Sequence, residues 1–301
     1  MEINPLFRWA GGKGKMLKHY IPLLPDMNSL DSYCEPFFGG GAMFIHMRTN
    51  YPHMKCYIGD INQDIANIYI AIRDDVNEFI VRLEELDKEY IALTKEERKA
   101  YYYALRHEHA YEYAKWNKIV ESATLYFLMK TSFNGIFQIN NNTNNRFGTP
   151  SGLLNEKITV YSKENVLAWN EMLQNVEIYG ADWSEVVNKF NPNKTFYFFD
   201  PPYRESHTSY GQTFGDDKQE ELLSFCKKHD SINGCRVMLC NRDDNDNFWD
   251  NKEGSLHVAR FPIKYTAGRR KKEGDNYLAK SATEILFYSK VDSKGIEEFF
   301  S

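Results

Sequence analysis

The stretch Glu35–Phe44, which reads EPFFGGGAMF, decides the fold. It follows a short β-type run, Ser32–Glu35, and precedes a segment whose composition suits a helix. Its three successive glycines let a ligand approach the backbone closely, because they carry no Cβ. A second β-type run ends at Asp60, whose carboxylate could accept hydrogen bonds from both hydroxyls of a ribose. These features indicate a nucleoside-binding α/β fold, although dehydrogenases share the pattern and a tight loop alone also produces it.

Further β-type runs along the chain also predict strands. Six strands are predicted, namely Ser32–Glu35, Cys56–Asp60, Val176–Tyr179, Thr195–Asp200, Cys235–Cys240 and Thr283–Tyr288. Several end in a polar or acidic residue, which is typical of buried parallel strands whose carboxyl ends open on a ligand crevice. The chain has 301 residues, of which 42% are hydrophobic, so it can bury one α/β core and still carry a subdomain.

A helical segment interrupts this pattern between about Asn62 and Met129. Apolar residues recur there at helical spacing, for example Phe79, Leu83, Leu86 and Tyr90. Thr94 and Glu97 have the spacing of a capping box. From Phe133 to Gly152 the chain reads FNGIFQINNNTNNRFGTPSG, in which an Asn-rich turn separates Ile and Phe residues that favour strands. We expect a helical insertion followed by an exposed hairpin or loop.

Charge is distributed unevenly along the chain. The formal net charge of -5 argues against a generally basic nucleic-acid binder. Residues 1–20 nevertheless hold four Lys or Arg against one acid, and residues 260–272 hold six and no acid. A local basic face is therefore compatible with the composition, and a solvated loop explains the run 269–272 equally well.

Composition also bears on the compartment and on metal binding. No stretch approaches the roughly 18 consecutive apolar residues that a membrane span needs, and Met1–Arg8 lacks the features of a signal peptide. We expect an unprocessed cytoplasmic protein that does not bind membranes. The cysteines show no paired spacing, so we interpret them as buried free thiols and expect no metal site, disulfide or cysteine nucleophile. They are Cys34, Cys56, Cys226, Cys235 and Cys240.

The glycine-rich segment Phe7–Lys15, FRWAGGKGK, is not a phosphate-binding P-loop. It lacks the first glycine of that motif, and Met16 stands where Ser or Thr would hold magnesium. Trp9 and Lys13 instead suit one wall of a cofactor pocket. There the ring would contact apolar or sulfonium groups, and the ammonium would face a carboxylate.

The strongest chemical signal is Phe196–Tyr203, FYFFDPPY, in which an apolar strand runs into an acid, two prolines and an aromatic. The prolines fix φ and remove N–H donors, so the Asp200 carboxylate and the Pro201 carbonyl can both present acceptors to one crevice. An exocyclic amine offers two N–H donors to such a pair while Tyr203 stacks on its ring. A rigid strand-to-loop corner is the purely structural alternative. For adenine N6 in a duplex, this chemistry requires the base to be flipped out.

Six motifs in this order resemble those of Dam-type adenine-N6 DNA methyltransferases over nearly the whole chain. They are Trp9–Lys13 (WAGGK), Glu35–Gly41 (EPFFGGG), Asp60–Asn62 (DIN), Phe133–Gly135 (FNG), Ala181–Trp183 (ADW) and Asp200–Tyr203 (DPPY). The resemblance implies an α/β, Rossmann-like S-adenosylmethionine-dependent methyltransferase fold with a helical target-recognition insertion carrying a β-hairpin. It implies a catalytic domain at 1–61 and 153–301, and the target-recognition domain at 62–152.

The resemblance also implies roles by position. Expected catalytic residues are Asp200, Pro201, Pro202 and Tyr203. Expected around S-adenosylmethionine, or its product S-adenosylhomocysteine, are Phe7, Trp9, Ala10, Gly11, Lys13, Glu35, Pro36, Phe37, Phe38, Gly39, Gly41, Asp60, Ile61, Asp182, Trp183 and Asp200. Expected on double-stranded DNA are Arg8, Asn134, Gly135, Ile136, Gln138, Asn140, Arg146, Arg269, Arg270 and Lys271.

The sequence leaves the target site, the partners and some alternatives open. Arg8 and Gln138 depart from the pattern of GATC-reading relatives, which have Lys and Arg there; Arg still suits guanine, whereas Gln pairs with adenine. A separate cognate restriction endonuclease is possible, and we expect a monomer or weak dimer. N4-cytosine methylation and an inert DNA-binding homologue are alternatives. C5-cytosine methylation is disfavoured because Cys34 lacks the Pro-Cys order, and a nicotinamide oxidoreductase would leave Asp200–Tyr203 unexplained.

Overall fold

The computed structural model describes residues 3–9, 11–152, 160–204, 214–230, 232–264, 271–273, 276–278 and 281–290. Three residues predicted in functional sites, Ala10, Arg269 and Arg270, lie outside these ranges. None of the helices in the described ranges is both long enough and apolar enough to cross a membrane.

A seven-stranded sheet forms the centre of the described fold. Its strands are β1 (Ser32–Glu35), β2 (Lys55–Asp60), β5 (Glu177–Gly180), β6 (Thr195–Phe199), β7 (Arg236–Asp243), β8 (His257–Lys264) and β11 (Ser281–Tyr288). The spatial order is β5-β2-β1-β6-β7-β11-β8. The first five strands in that order pair in parallel, and β11 pairs antiparallel with both β7 and β8. Two small antiparallel pairs lie outside it, β3 (Ile139–Asn140) with β4 (Arg146–Phe147) and β9 (Lys271–Glu273) with β10 (Asn276–Leu278).

Nine α-helices are described. They are α1 (Leu17–Tyr20), α2 (Ala42–Asn50), α3 (Gln63–Asp74), α4 (Val76–Ala92), α5 (Lys95–Tyr111), α6 (Lys118–Thr131), α7 (Lys163–Leu173), α8 (Trp183–Val187) and α9 (Asp216–His229). Short 3-10 helices lie at Lys13–Lys15, Ile21–Leu23, Met27–Ser29, Tyr113–Lys115, Phe133–Gly135, Asn141–Thr143 and Ile232–Gly234.

The sheet is covered on both faces, because its strand residues alternate between two apolar clusters. In β6, Phe196 and Phe198 pack with residues of α2, α3 and α7, whereas Tyr197 and Phe199 pack with residues of α8 and α9. The expected α/β class is therefore confirmed: a mostly parallel sheet lies between helices, as in S-adenosylmethionine-dependent methyltransferases.

All six predicted strands are present, with ends that differ by up to three residues. The sequence interpretation missed β8, an edge strand that contains Pro262. The helical insertion is also confirmed: Phe79, Leu83, Leu86 and Tyr90 are all buried on α4. Thr94 and Glu97 form the predicted capping box at the start of α5. All five cysteines are buried and free.

The predicted hairpin is present as β3 and β4, and Arg146 anchors it to the helices. The guanidinium of Arg146 donates hydrogen bonds to Asp64 (3.0 Å), to Glu121 (2.6 Å) and to the carbonyl of His109 (2.9 Å). It also lies 4.2 Å from the ring centroid of Tyr113. These contacts argue against the expected DNA contact of Arg146, because its donors already hold the hairpin onto α3, α5 and α6.

We expect Arg146→Ala to lower the free energy of unfolding by about 3 kcal/mol, since it leaves the buried Glu121 carboxylate without its partly buried cation. The measurement is urea unfolding followed by far-UV circular dichroism. Lys118→Ala is the matched control, because Lys118 pairs with the same Glu121 from a side chain that is 74% exposed. Equal midpoints for Arg146→Ala and Lys118→Ala would contradict this assignment.

Candidate active site

The order of the strands reverses between β1 and β6, and the predicted acids lie at the carboxyl ends of the strands around that point. Glu35 ends β1, Asp60 ends β2, and Asp200 directly follows β6. In open α/β sheets, the crevice outside the carboxyl ends at such a reversal is where ligands bind. Sequence motifs that are distant along the chain are therefore brought to one edge of the sheet.

The glycine turn after β1 is covered by Trp9. Gly39 has φ +47°, and a Cβ added there would lie 2.6 Å from Cδ1 of Trp9. The carbonyl of Gly39 accepts a hydrogen bond from the buried Tyr69 hydroxyl at 2.8 Å. Glycine is thus required by its left-handed backbone and by the close indole ring. The segment around Trp9 therefore lies directly above this turn.

Asp60 holds the glycine turn against the end of β2. One carboxylate oxygen accepts from the backbone N–H of Gly39 at 3.1 Å, and the other accepts from that of Asn62 at 2.9 Å. Burial raises the pKa of Asp60 to about 6, and these two hydrogen bonds oppose the rise. Each oxygen still has one lone pair available for a further donor.

Two further polar groups beside Asp60 have bonding capacity left. The Asn62 side chain caps α3 through its oxygen, which accepts from the N–H of Asp64, but within the described residues its buried Nδ2 has no hydrogen-bond partner. Glu35 is buried and accepts the Tyr33 hydroxyl at 2.6 Å. Burial raises the pKa of Glu35 well above its usual range, although the Tyr33 hydrogen bond lowers it.

A buried ion cluster lies at the end of β6. The Lys13 ammonium is 2.5 Å from Asp200 Oδ1 and 3.6 Å from Glu284 Oε1, and it donates to the carbonyl of Gly11 at 3.0 Å. It is also 4.8 Å from the ring centroid of Tyr203. Lys13 is 4% exposed and the side chain of Asp200 is 19% exposed, so the cluster is nearly sealed while Asp200 keeps one open side.

This cluster shifts the proton affinity of both partners. Burial alone would lower the pKa of Lys13, but the charges of Asp200 and Glu284 outweigh it and raise the pKa. Burial raises the pKa of Asp200 to about 6, Lys13 opposes the rise, and Glu284 adds to it. Near neutral pH, Lys13 is therefore a cation and most Asp200 is ionised.

Two buried amide side chains, Gln219 and Asn241, fix the backbone of the two prolines after Asp200. The Gln219 side chain, on α9, donates to the carbonyl of Pro202 at 2.8 Å. Its oxygen in turn accepts from the Asn241 side chain, on β7, at 2.7 Å. Gln219 and Asn241 are fully buried. The corner between β6 and Tyr203 is thus held by hydrogen bonds as well as by the proline rings.

Other residues expected around the cofactor lie near the same edge, several of them as packing groups. The Phe37 ring meets Phe199 and Phe214 edge-on, and Trp183 is buried against Phe199 and Phe225. Asp182 caps α8, since its oxygen accepts from the N–H and hydroxyl of Ser184. Phe7, Pro36 and Phe38 are buried, Gly11 and Ile61 are exposed, and Gly41 has φ +66°.

The residues expected on DNA lie partly on one exposed surface. A Cβ added to Gly135 would lie 3.5 Å from Cβ of the exposed Arg8, so the N-terminal segment meets the base of the hairpin. Asn134, Gln138 and Asn140 are exposed, and Ile136 is partly exposed. Phe133, in the same turn, is 51% exposed.

Sequence reasoning missed four polar residues of this region, which are Asn62, Gln219, Asn241 and Glu284. Glu284 had a visible signal: an acid stands one residue inside the apolar run Thr283–Tyr288. Because β11 is antiparallel to its neighbours, its beginning lies at the carboxyl edge of the parallel strands. The sequence did not reveal that direction. Within the described residues, no cluster of His, Cys, Asp and Glu could hold a metal ion.

A mostly parallel sheet covered on both faces, with a glycine turn held by Asp60 and an Asp-Pro-Pro-Tyr corner where the strand order reverses, is consistent with the fold of S-adenosylmethionine-dependent methyltransferases. Residues 9–263 match the family model described as D12 class N6 adenine-specific DNA methyltransferase. The chain belongs to this family.

Curated relatives agree with that assignment. The Type II methyltransferase M.MjaIII of Methanocaldococcus jannaschii is 33% identical over 90% of this chain and 93% of its own length. Type II methyltransferase M1.LlaDCHI of Lactococcus lactis subsp. cremoris is 29% identical over 80% and 82%. The retron Ec67 DNA adenine methylase of Escherichia coli is 26% identical over 95% and 92%. This chain is therefore an enzyme for site-specific methylation of adenine in DNA, and the family implies a methyl donor.

We expect Gly39→Ala to destabilise the protein by about 2 kcal/mol, because alanine would be strained at φ +47° and would displace Trp9. Thermal unfolding of the purified variant measures the loss. Gly14→Ala is the control, since its Cβ would meet nothing within 4 Å. In a Trp9→Ala background, the loss caused by Gly39→Ala should shrink to the backbone strain alone. A Gly39→Ala variant as stable as Gly14→Ala would refute the close packing of Trp9.

Proposed function

We propose that this chain transfers the methyl group of S-adenosylmethionine to N6 of an adenine flipped out of duplex DNA. The observation that carries the proposal is the position of Asp200–Tyr203 at the reversal of the sheet, with Asp200 open on one side. Flipping is required because N6 of a paired base is hydrogen-bonded inside the stack.

The groups around the glycine turn fit this methyl donor. Glu35 and Asp60 offer acceptors to the hydroxyl and amino groups of a nucleoside, and Nδ2 of Asn62, which has no partner in the part of the chain that the structure describes, offers a donor. Trp9 would lie along the ligand above the turn. When bound, S-adenosylmethionine supplies an electrophilic methyl group on a sulfonium. The proposed contacts otherwise follow the predicted set, Phe7, Gly11, Pro36, Phe37, Phe38, Gly39, Gly41, Ile61, Asp182 and Trp183.

Lys13 is assigned differently from the sequence interpretation. The sequence placed the ammonium in a wall of the cofactor pocket, facing a carboxylate that it did not identify. The ammonium contacts Asp200 and the carbonyl of Gly11 and lies 3.6 Å from Glu284. A cofactor contact would have to replace one of these partners. We therefore propose that Lys13 orients the Asp200 carboxylate, with Oδ1 bound to the ammonium and Oδ2 left for the base.

The proposed chemistry uses acceptors rather than a covalent intermediate. Asp200 and the Pro201 carbonyl accept the two N–H groups of the adenine amine while Tyr203 stacks on the ring. This arrangement aligns the nitrogen with the methyl group and favours the attack. As the new N–C bond would form, the bond between the methyl group and the sulfonium sulfur would break, leaving S-adenosylhomocysteine. N6 would then lose one proton, which the ionised Asp200 can accept.

The proposed DNA surface combines Arg8 with Asn134, Gly135, Ile136, Gln138 and Asn140, since Arg8 lies beside the hairpin. Arg8 suits guanine and Gln138 suits adenine. Arg269, Arg270 and Lys271 remain proposed phosphate contacts.

We propose that residues 62–152 form the target-recognition domain and that 1–61 and 153–301 form the catalytic domain. We further propose that the protein is a monomer or weak dimer and that a separate restriction endonuclease is its partner in the cell; the Type II names of the relatives favour that partner.

The decisive test is to incubate the protein with unmethylated plasmid and S-adenosylmethionine and to map modified bases by single-molecule sequencing. We expect N6-methyladenine at one short motif. Asp200→Ala should lower the rate by a factor on the order of 10² to 10³ while keeping the thermal shift caused by S-adenosylhomocysteine. Asp217→Ala, at an exposed position on α9, is the matched control. Methylation of cytosine N4, or full activity of Asp200→Ala, would overturn the proposal.

The pH dependence of methyl transfer should report the ionisation of Asp200. Its pKa in the free enzyme is raised to about 6, and only the carboxylate accepts the amine hydrogens. The rate constant at limiting cofactor and DNA should be constant above that pH and fall about tenfold per pH unit below it. Rapid-quench measurements between pH 5 and 8 test this, with DNA affinity measured in parallel. A rate that stays constant down to pH 5 would remove Asp200 from this role.

A further inference from the structure

Glu284 is a buried acid that the proposed chemistry does not use. It is 1% exposed and lies near the beginning of β11, opposite Arg242 of β7 and Phe261 of β8. Its neighbours in sequence, Ile285 and Leu286, belong to the apolar clusters on the two faces of the sheet. A carboxylate in such surroundings is costly unless its oxygens are well bonded.

The bonds of Glu284 are directed at Tyr203 and Tyr20. The Tyr203 hydroxyl lies 2.8 Å from both carboxylate oxygens, and the Tyr20 hydroxyl donates to Oε1 at 2.6 Å. The Lys13 ammonium is farther from Glu284, at 3.6 Å, than from Asp200, at 2.5 Å. Asp200 therefore already neutralises Lys13. The charge of Lys13 does not by itself explain why a second acid, Glu284, is buried beside it.

Tyr203 needs an external support for its ring. Residues 201–203 lie in neither a helix nor a strand, so regular backbone pairing does not fix this segment. The amide pair Gln219 and Asn241 fixes the backbone at Pro202, one residue before the ring. At the other end of the side chain, the Tyr203 hydroxyl donates to the Glu284 carboxylate. These two contacts hold the backbone before the ring and the phenol oxygen at its far end, in addition to the cations of Lys13 and Arg242 near its face.

We propose that Glu284 is a positioning residue for methyl transfer: it holds the Tyr203 phenol so that the ring stays beside Asp200 in the orientation that receives the adenine. This inference rests on the proposed function, because it takes Tyr203 as the stacking platform. Glu284 does not touch the reacting atoms. Its carboxylate also lies 3.6 Å from the Lys13 ammonium, and its charge adds to the rise in the pKa of Asp200, so the test has to isolate the part that acts through Tyr203. Tyr20, packed against Phe198 and Phe261, anchors the same carboxylate from the core.

A double-mutant cycle with Tyr203→Phe and Glu284→Met tests this relation. Phenylalanine keeps the ring and removes the hydroxyl, and methionine keeps the approximate volume and removes both acceptors. Single-turnover methylation of a duplex containing the mapped motif gives the rate of transfer. We expect Tyr203→Phe to lower this rate about tenfold in the wild-type background and less than threefold in the Glu284→Met background, because the contact is already absent there.

Two additional readouts separate positioning from a general structural effect. Glu284→Gln keeps one acceptor oxygen, so it should restore part of the rate lost in Glu284→Met. With 2-aminopurine at the target position, Tyr203→Phe and Glu284→Met should change the emission in the same way, while the affinity for S-adenosylhomocysteine stays within about twofold. Tyr101→Phe is the matched control, since it removes a tyrosine-to-glutamate hydrogen bond, to Glu89 at 2.8 Å, in the helical layer.

An equal effect of Tyr203→Phe in both backgrounds would overturn the inference, as would Glu284→Met leaving the rate unchanged. If Glu284→Met does not fold, the cycle is run with Glu284→Gln, where we expect the effect of Tyr203→Phe to shrink at least twofold. The outcome is distinguishable from failure of the proposed function. If the proposed function were wrong, the wild-type protein would not methylate adenine. If only this inference were wrong, the wild-type protein would be active, but the effect of Tyr203→Phe would not depend on Glu284.

Discussion

The buried contact between Lys13 and Asp200 is the interaction on which the arrangement of the site depends. It joins the N-terminal segment, which contributes no strand to the sheet, to the end of β6. Trp9 and Arg8 precede Lys13 by only a few residues, so this contact helps to hold the indole over Gly39 and the aliphatic part of the Arg8 side chain beside Gly135. The positions of Trp9 above the glycine turn and of Arg8 beside the hairpin therefore both depend on the contact with Asp200, the carboxylate proposed to receive the adenine.

That arrangement comes at the expense of stability. Burial raises the pKa of Glu35, Asp60 and Asp200, which means that each of these carboxylates would ionise more easily in water than where it lies. Apolar residues at these strand ends would give a more stable fold. The presence of three such acids at one edge of the sheet is what separates a ligand site from a packed strand end, and it agrees with the membership of the chain in an enzyme family.

The sequence predicted the elements whose signal is local. The strand that runs into Asp200, the helical spacing of α4 and the capping box at Thr94 depend on residues a few positions apart, and all are present. Edge strand β8 was missed because Pro262 argues against a strand, and an edge position is where proline is tolerated. The resemblance assigned Arg146 to DNA by its position in the hairpin, and its acidic partners, 25 and 82 positions away, could not be identified from the sequence. Glu284 was missed for a related reason, since its meaning depends on the direction of β11.

The hairpin illustrates how the chain joins recognition to chemistry without extending the central sheet. Strands β3 and β4 pair only with each other within the described part of the chain, so backbone hydrogen bonds do not set their position relative to β6. Side chains do so instead: Arg146 joins β4 to Asp64 on α3, and Arg8 packs on Gly135. Helix α3 begins directly after Asp60 and Asn62, and Arg8 belongs to the segment fixed by Lys13. The hairpin is thereby attached twice to the elements that carry the proposed cofactor and base contacts.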